Sequence, residues 1–191
     1  MTSPAISRFE MPEFQSLPED IQTRMTEIQE KAGFIPNVFL ALAYRPDELR
    51  AFIAYHDALI LRDSGLSKSE KEMIIVATSA KNDCLYCVVA HGAILRIYAK
   101  DSKISDQIAT DYSKADITDK QKVMLDFAVK TATKAAEISA ADLEQLRSYG
   151  FSENDIWDIG AITALFGLSN RMASLAAMRP NDEFYTMGRD F

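Results

Sequence analysis

The sequence predicts an all-α fold, because apolar residues recur at helical spacing along almost the whole chain while alternating, strand-like patterns are nearly absent. Capping boxes, prolines and glycines divide this pattern into separate helices. The composition is that of a globular protein, with 48% hydrophobic and 26% charged residues in a chain of 191. That length is enough for one domain with arms.

Caps and breakers give the boundaries of the helices predicted in the first half of the chain. A polar cap at Ser16, followed by a proline, begins the first helix and Gly33 ends it, while Pro46 separates the second from the third. The capping box Ser67-Lys68-Ser69-Glu70 begins the fourth, and a polar break at 81–83 precedes the fifth. The five predicted helices are 16–33, 36–43, 46–62, 67–80 and 84–99.

The second half of the chain continues the pattern with four more predicted helices, at 102–114, 118–134, 139–149 and 152–178. After Pro180 we expect an extended tail suited to docking on a partner subunit. The sequence is therefore divided into an N-terminal arm and helix (1–34), a helical domain (35–180) and a C-terminal tail (181–191).

Charge and hydropathy exclude several classes of protein. The net charge of −7 leaves no basic stripe to neutralise phosphates, so no nucleic-acid partner is expected. The longest apolar runs, such as 73–77, are far too short to span a bilayer. Residues 1–14 have neither the basic start nor the apolar block of a secretory signal. We therefore expect a cytoplasmic protein without a membrane partner.

The two cysteines of the chain, Cys84 and Cys87, stand three residues apart. Disulfides that stabilise secreted proteins usually close longer loops, whereas a close pair in a reducing compartment indicates redox chemistry or metal binding. His91 lies on the same helix face as the pair, because spacings of three and four residues return to one side of a helix. This face is the candidate catalytic centre.

A helix start suits the chemistry of such a pair. If Asn82 or Asp83 caps the helix, Cys84 lies in its first turn, where free amides and the helix dipole favour a thiolate. In a regular helix, Cβ atoms three residues apart are separated by roughly 5–6 Å, whereas a disulfide needs about 3.8 Å. Only a helix end can relax enough to close that gap, so the geometry is workable for a redox pair.

Glu72 is the candidate partner of His91. If the two helices form a hairpin about Asn82, Glu72 lies ten residues before the pivot and His91 nine after it. At about 1.5 Å per residue, these separations are roughly 15 and 13.5 Å, so the two side chains lie at similar heights. A carboxylate can orient a histidine that activates a nucleophile. His91 lies four residues beyond Cys87, close enough to take up its proton or stabilise its thiolate.

The run from Glu72 to Gly92, with Cys84-Leu85-Tyr86-Cys87 and His91, resembles the alkylhydroperoxidase D and carboxymuconolactone decarboxylase superfamily. Together with the later segment 166–173, it is most similar to the uncharacterised peroxidase-related branch of that superfamily. The resemblance covers roughly residues 35–180. It implies an alkylhydroperoxidase D-like helical bundle that assembles into dimers, trimers or hexamers.

The resemblance also implies the reduction of a small hydroperoxide, without cofactor or metal, at the expense of an unidentified dithiol electron donor. Cys87 would attack the peroxide and Cys84 would resolve the resulting sulfenic acid to a disulfide, while His91 and Glu72 relay protons. The helix-start argument favours Cys84 as the nucleophile instead. We prefer Cys87, and the choice between the two stays open.

Tyr86 is a departure from the family pattern. The well-studied hydroperoxidases carry a second histidine between the cysteines, where this chain has a tyrosine. A phenol titrates too high to replace an imidazole as a base near neutrality. Tyr86 is therefore a candidate for lining the active cleft or simply for packing, and the proton relay is expected to be shorter.

Other interpretations use the same residues. The cysteines could be inert core residues, or could bind zinc together with His91 and His56, which is otherwise expected to be structural. A disulfide reductase and a redox-sensing module without peroxide turnover are further alternatives. A decarboxylase is disfavoured, because such relatives generally lack the cysteine pair.

Two further features of the sequence bear on assembly. Asn170 and Arg171 are polar residues within an apolar helix, where a satisfied buried polar pair or a subunit contact is expected. Nearly every helix also carries more apolar positions than a monomer of this size is expected to hide, which favours a homo-oligomer.

Overall fold

A computed structural model describes residues 5–191, and the first four residues of the predicted N-terminal arm lie outside this range. The described residues form α-helices and short 3-10 turns without any strand, so the all-α prediction is confirmed. The helices are α1 (Glu19–Ala32), α2 (Asn37–Leu42), α3 (Pro46–Ile60), α4 (Lys68–Lys81), α5 (Leu85–Ala99), α6 (Ile104–Asp111), α7 (Asp119–Lys134), α8 (Ala140–Ser148), α9 (Glu153–Ala176) and α10 (Glu183–Thr186).

Capping boxes begin several helices where the sequence places them. Ser67 accepts a hydrogen bond from the backbone N–H of Glu70 at the start of α4, and Thr118 does the same for Gln121 at the start of α7. Each box satisfies amide groups that a helix start would otherwise leave without partners. The boundaries of these helices are therefore encoded locally.

The helix α4 lies at the centre of the core. Its residues 71–79 are all buried, and α5, α6, α7 and α9 pack around it. This central position also buries the charged residues Lys71 and Glu72, which need polar partners at that depth. A smaller apolar cluster, formed by α1, α2, α3 and the segment before α1, contains Leu17, Ile21, Met25, Ala43 and Leu49.

Lys71 has its partners at the end of α3. Its Nζ donates hydrogen bonds to the backbone carbonyls of Leu59, Ile60 and Arg62, at 3.1, 3.2 and 2.6 Å. These carbonyls belong to the carboxyl end of a helix, where they lack intrahelical partners and where a cation is favoured. Lys71 therefore stabilises the junction between α3 and α4, although burial lowers the pKa of its amine.

The C-terminal tail differs from the expected extended arm. It contains the short helix α10 and packs on α5 of its own chain. The guanidinium of Arg96 in α5 donates hydrogen bonds to the carbonyls of Met187 and Phe184, at 2.9 and 2.8 Å. Phe184 is buried edge-on against Phe34, with the ring centroids 5.0 Å apart. An apolar ring and a buried guanidinium therefore hold the tail against the body of its own chain.

None of the helices within residues 5–191 combines the length and apolar character needed to cross a membrane.

We expect Phe184→Ala to lower the free energy of unfolding by about 3 kcal/mol, because it removes a buried aromatic side chain and leaves a cavity. Phe184 is 5% exposed, whereas Phe191 in the same tail is 60% exposed. The matched variant Phe191→Ala should change stability by no more than about 0.5 kcal/mol. Urea unfolding followed by circular dichroism measures both. Equal, small losses would show that the tail does not contribute to the core.

Candidate active site

The turn between α4 and α5 determines where the cysteine pair begins. Asn82 ends α4, Asp83 has a left-handed backbone with φ of 51°, and Cys84 is itself the N-cap residue of α5. The expectation that Asn82 or Asp83 caps the helix is therefore wrong by one or two positions. The backbone N–H of Cys84 donates to the carbonyl of Ser79 at 3.0 Å, which closes the turn.

Cys84 and Cys87 are free thiols, and both are almost fully buried, with exposures of 2% and 1%. Hydrogen bonding from the Cys87 thiol lowers the pKa of Cys84 to about 7. The Cys87 backbone N–H, the side chain of Asn170 and the nearby His91 act in the same direction, whereas burial acts against them. The negative charge of the singly ionised pair therefore resides on Cys84.

Cys87 has the opposite character. Its interaction with Cys84, followed by burial, raises the pKa of its thiol well above the ordinary value. Its Sγ lies 3.7 Å from the hydroxyl oxygen of Ser169 in α9, a residue that the sequence gave no reason to select. Two adjacent buried thiols cannot both ionise easily, so the two sulfurs share one proton.

Glu72 and His91 meet in the interior, at the similar heights that the hairpin argument predicts. His91 Nδ1 and Glu72 Oε2 are 2.8 Å apart, and both side chains are largely buried. The ring of Phe166 packs edge-on against the imidazole, with centroids 4.7 Å apart. The carboxylate and the phenyl ring fix the orientation of His91, which leaves its Nε2 as the nitrogen available for proton transfer.

Tyr86 both packs and lines a cleft, so the two alternatives from the sequence are not exclusive. Its hydroxyl oxygen accepts a hydrogen bond of 3.0 Å from the backbone N–H of Val38, at the start of α2. Burial raises the pKa of the phenol above its ordinary value, and Tyr86 therefore does not replace the missing histidine as a base. The hydrogen bond of its hydroxyl holds α2 against α5 instead.

A pocket of about 310 Å³ opens at the start of α5. Cys84 and Tyr86 lie in its wall, and Cys87 does not. Asp83 and Leu85, on either side of Cys84, also line the pocket. The remaining wall comes from the end of α9, from the segment that leads into the tail and from α10: Ala173, Ser174, Ala177, Met178, Arg179, Pro180, Asp182 and Tyr185. The pocket therefore borders the pair on the Cys84 side.

Asn170, expected to be a satisfied buried polar residue or a subunit contact, is a satisfied buried residue next to the centre. Its Oδ1 accepts from Asn82, and its Nδ2 donates to the hydroxyl of Ser79, both at 2.9 Å. Arg171, in contrast, is exposed and donates to the carbonyl of Gly167 on its own helix. The two neighbours therefore do not form a pair.

His56, the other histidine, has a separate carboxylate partner. Its Nδ1 lies 3.0 Å from Asp57 Oδ1, and burial is the main cause that lowers its pKa. Among residues 5–191, no three His, Cys, Asp or Glu side chains are arranged to hold a metal ion. The zinc alternative, which needs His56 and His91 to converge on both cysteines, has no support in this geometry.

These features define a class of protein. It is an all-helical dithiol protein in which a buried carboxylate on α4 pairs with a histidine on α5, the helix that begins with the Cys-x-x-Cys pair. The carboxymuconolactone decarboxylase family model matches residues 46–110, which include Glu72, Cys84, Cys87 and His91. A search of curated proteins finds no match.

Solved structures extend the likeness to the whole chain. The alkylhydroperoxidase AhpD core of an uncharacterised peroxidase-related protein from Ralstonia eutropha JMP134 is 62% identical over 98% of both chains, with a TM-score of 0.97. A peroxidase-related protein from Silicibacter sp. TM1040 is 43% identical over 99% of this chain and 100% of its own, with a TM-score of 0.93. The chain belongs to the alkylhydroperoxidase D-like and carboxymuconolactone decarboxylase superfamily.

The fold is shared more widely than the sequence. The debrominase Bmp8 is 18% identical over 97% of this chain and 96% of its own, with a TM-score of 0.78, which is a likeness of fold alone.

We expect the alkylation rate of Cys84 by iodoacetamide to rise with pH around a midpoint near 7, because only the thiolate reacts and hydrogen bonding from Cys87 lowers the pKa of Cys84 to about 7. Mass spectrometry of the peptide that contains both cysteines, after limited alkylation, locates the label. Cys87 should stay unlabelled over the same range, because its pKa is raised. A midpoint near 9 for Cys84, or preferential labelling of Cys87, would contradict this assignment of the charge.

Proposed function

We propose that the protein is a thiol-dependent peroxidase that reduces small hydroperoxides through a dithiol–disulfide cycle of Cys84 and Cys87. The observation that carries the proposal is the cysteine pair at the start of α5, one sulfur of which has a pKa lowered to about 7 and borders a pocket. Glu72 and His91, joined at 2.8 Å on the same two helices, supply a site for proton transfer. Membership of the superfamily supports the same reaction class.

The chemistry requires one thiolate and one thiol. The thiolate attacks an oxygen of the hydroperoxide, so that an S–O bond forms as the O–O bond breaks, and the alkoxide leaves as the alcohol after it takes up a proton. The second thiol then attacks the sulfenic sulfur, and an S–S bond forms while water leaves. An external dithiol reduces the disulfide by exchange and becomes oxidised itself.

His91 and Glu72 serve the proton movements of this cycle. The carboxylate holds Nδ1 of the imidazole, so that Nε2 can accept a proton from a thiol and return one to the leaving alkoxide. Both side chains are largely buried, which keeps bulk water from competing for that proton. Tyr86 contributes position rather than proton transfer, since its hydroxyl is bonded to the α2 backbone.

The attacking sulfur is the point on which the family resemblance and the geometry differ. The resemblance assigns the attack to Cys87 and the resolving step to Cys84. The geometry favours Cys84, whose pKa is lowered and which lines the pocket, whereas the pKa of Cys87 is raised. Both assignments use the same four residues and predict opposite behaviour for the two serine variants.

A second candidate function is a redox-sensing or disulfide-exchange module without peroxide turnover. The burial of the pair supports it. Cys84 and Cys87 are only 2% and 1% exposed, which restricts the access of a substrate to their sulfurs. We propose a cytoplasmic location for either function, since a close cysteine pair works as a cycling dithiol where the surroundings are reducing.

We expect the wild type to consume hydroperoxide continuously with a dithiol such as dihydrolipoamide or dithiothreitol, and both Cys84→Ser and Cys87→Ser to lose this turnover. If Cys87 attacks, Cys84→Ser accumulates a sulfenic acid that dimedone traps, and Cys87→Ser gives none. If Cys84 attacks, the two variants exchange their results. Peroxide consumption and mass spectrometry of the dimedone adduct measure both steps.

A double Cys84→Ser, Cys87→Ser variant is the control for thiol-independent background. A reversible disulfide without steady peroxide consumption, across several dithiol donors, would contradict peroxidase function and support the sensor. Unchanged turnover in both single variants would contradict the dithiol cycle.

We also propose that the chain forms a homo-oligomer. Trp157, Leu168 and Leu175 lie on one face of α9, because separations of 11 and 18 residues return close to the same side of a helix. All three are exposed, Trp157 at 76%. Leu168 and Leu175 also border an apolar groove of about 560 Å³ between α9 and the α2–α3 region. An exposed apolar helix face beside an apolar groove is typical of contact surfaces between protein subunits.

Light scattering coupled to size exclusion should therefore give a mass that is a multiple of 21.3 kDa. Leu168→Arg, which places a charge in the middle of this face, should lower the mass of the assembly. A monomeric mass for the wild type at micromolar concentration would overturn the proposal.

A further inference from the structure

The α4–α5 turn carries backbone strain next to the dithiol centre. Asp83 adopts φ of 51°, although a residue with a Cβ is disfavoured in the left-handed region. Such a conformation persists where the surrounding contacts hold it. Two backbone hydrogen bonds close the turn, from the Cys84 N–H to the Ser79 carbonyl at 3.0 Å and from the Asp83 N–H to the Ala80 carbonyl at 3.2 Å, and both are local in the chain.

Asn170 supplies contacts from outside the turn. It lies on α9 and is 1% exposed, and its two amide atoms bond to two residues just before the strained position. Its Nδ2 donates to the Ser79 hydroxyl in the last turn of α4, and its Oδ1 accepts from Asn82. One side chain therefore holds the end of α4, from which the turn leads to Cys84, against α9.

The neighbouring residue of α9 contacts the other sulfur. The Ser169 hydroxyl lies 3.7 Å from Cys87 Sγ. Two successive residues of α9, Ser169 and Asn170, therefore lie close to the start of α5. The amide of Asn170 acts on the sulfurs as well, since it lowers the pKa of both Cys84 and Cys87. Both residues lie in the carboxyl half of α9.

We propose that Asn170 is a positioning residue of the dithiol centre: it holds the α4–α5 turn against α9, so that Cys84 stays at the N-terminus of α5 beside Cys87. The purpose of this role rests on the proposed dithiol chemistry. The role itself can be tested separately, because the reactivity of the reduced Cys84 thiol can be measured without peroxide. Without Asn170 the strained turn relaxes, and the Cys84 thiolate loses the amide donors of the helix start that stabilise it.

The charge state of Cys84 depends on several neighbours in addition to Asn170. The titratable and charged groups around it are Glu72 from α4, Cys87 and His91 from α5, and Asp83, Arg179, Asp182 and Tyr185 around the pocket. All of them remain in place when Asn170 is substituted, but the Asn170 amide itself also lowers the pKa of Cys84. Asn82→Ala keeps that amide, so a shift of the Cys84 midpoint in Asn82→Ala reports the loss of positioning.

The test is the pH profile of Cys84 alkylation in reduced protein, with iodoacetamide as the probe. We expect Asn170→Ala to raise the midpoint by about one unit, which slows alkylation roughly tenfold on the acidic side of the profile. Asn82→Ala, at a half-buried position, removes one of the two hydrogen bonds of the Asn170 side chain. It should shift the midpoint in the same direction by less.

Thr163→Val is the matched control. It removes a buried hydroxyl from α9 that bonds to the carbonyl of Ile159 on its own helix, so it perturbs packing without touching the turn. It should lower the melting temperature and leave the midpoint unchanged. If Asn170→Ala does not fold, the profile of Asn82→Ala decides the question.

An unchanged midpoint in the folded Asn170→Ala and Asn82→Ala proteins would overturn the proposal, as would an equal shift in Thr163→Val. Failure of the peroxidase function gives a different result, since steady peroxide consumption would then be absent from the wild type while the shift in midpoint is still present.

Discussion

The burial of α4 on all of its sides is the constraint on which the rest of the structure depends. A helix in that position carries Glu72 and Lys71 into the interior, where an unpartnered charge would be very costly. Lys71 is tolerated because three carbonyls at the end of α3 surround it, and Glu72 because His91 lies 2.8 Å away. The placement of α3 and α5 against α4 therefore satisfies charges as well as apolar surface, and the candidate site is part of the core.

The same arrangement makes two neighbouring cysteines unequal. Cys84 stands at the start of α5, beside amide donors and an open pocket, whereas Cys87 lies one turn deeper against Ser169. Since the pair accommodates one negative charge more readily than two, a small difference in surroundings decides which sulfur holds it. That asymmetry separates a pair able to react in sequence from two inert core thiols, and it arises from helix geometry rather than from the motif itself.

Two of the departures from expectation, in the tail and at Tyr86, share one cause, which is contact between residues distant in sequence. The tail forms α10 and packs inward because Phe184 finds Phe34 and because Arg96 needs carbonyl partners, neither of which local sequence reveals. Tyr86 is occupied by the backbone of α2, about fifty residues earlier, which a reading of the motif alone does not suggest. Apolar character in the tail, at Phe184 and Met187, was the available signal that it would pack inward.

The sequence by itself determined the all-α fold, most helix boundaries and the similar heights of Glu72 and His91, because caps, periodicity and helix rise act over short stretches of chain. The resemblance of its motif indicated the superfamily. Tertiary structure alone decided which sulfur is the more acidic, that Ser169 and Asn170 face the pair, and where the pocket opens. Those properties depend on tertiary contacts, among them those of Ser169 and Asn170 in α9, which lie more than eighty residues beyond the cysteines in the chain. Hydrogen bonds and burial act over a few ångströms in space, and no spacing in the sequence specifies them.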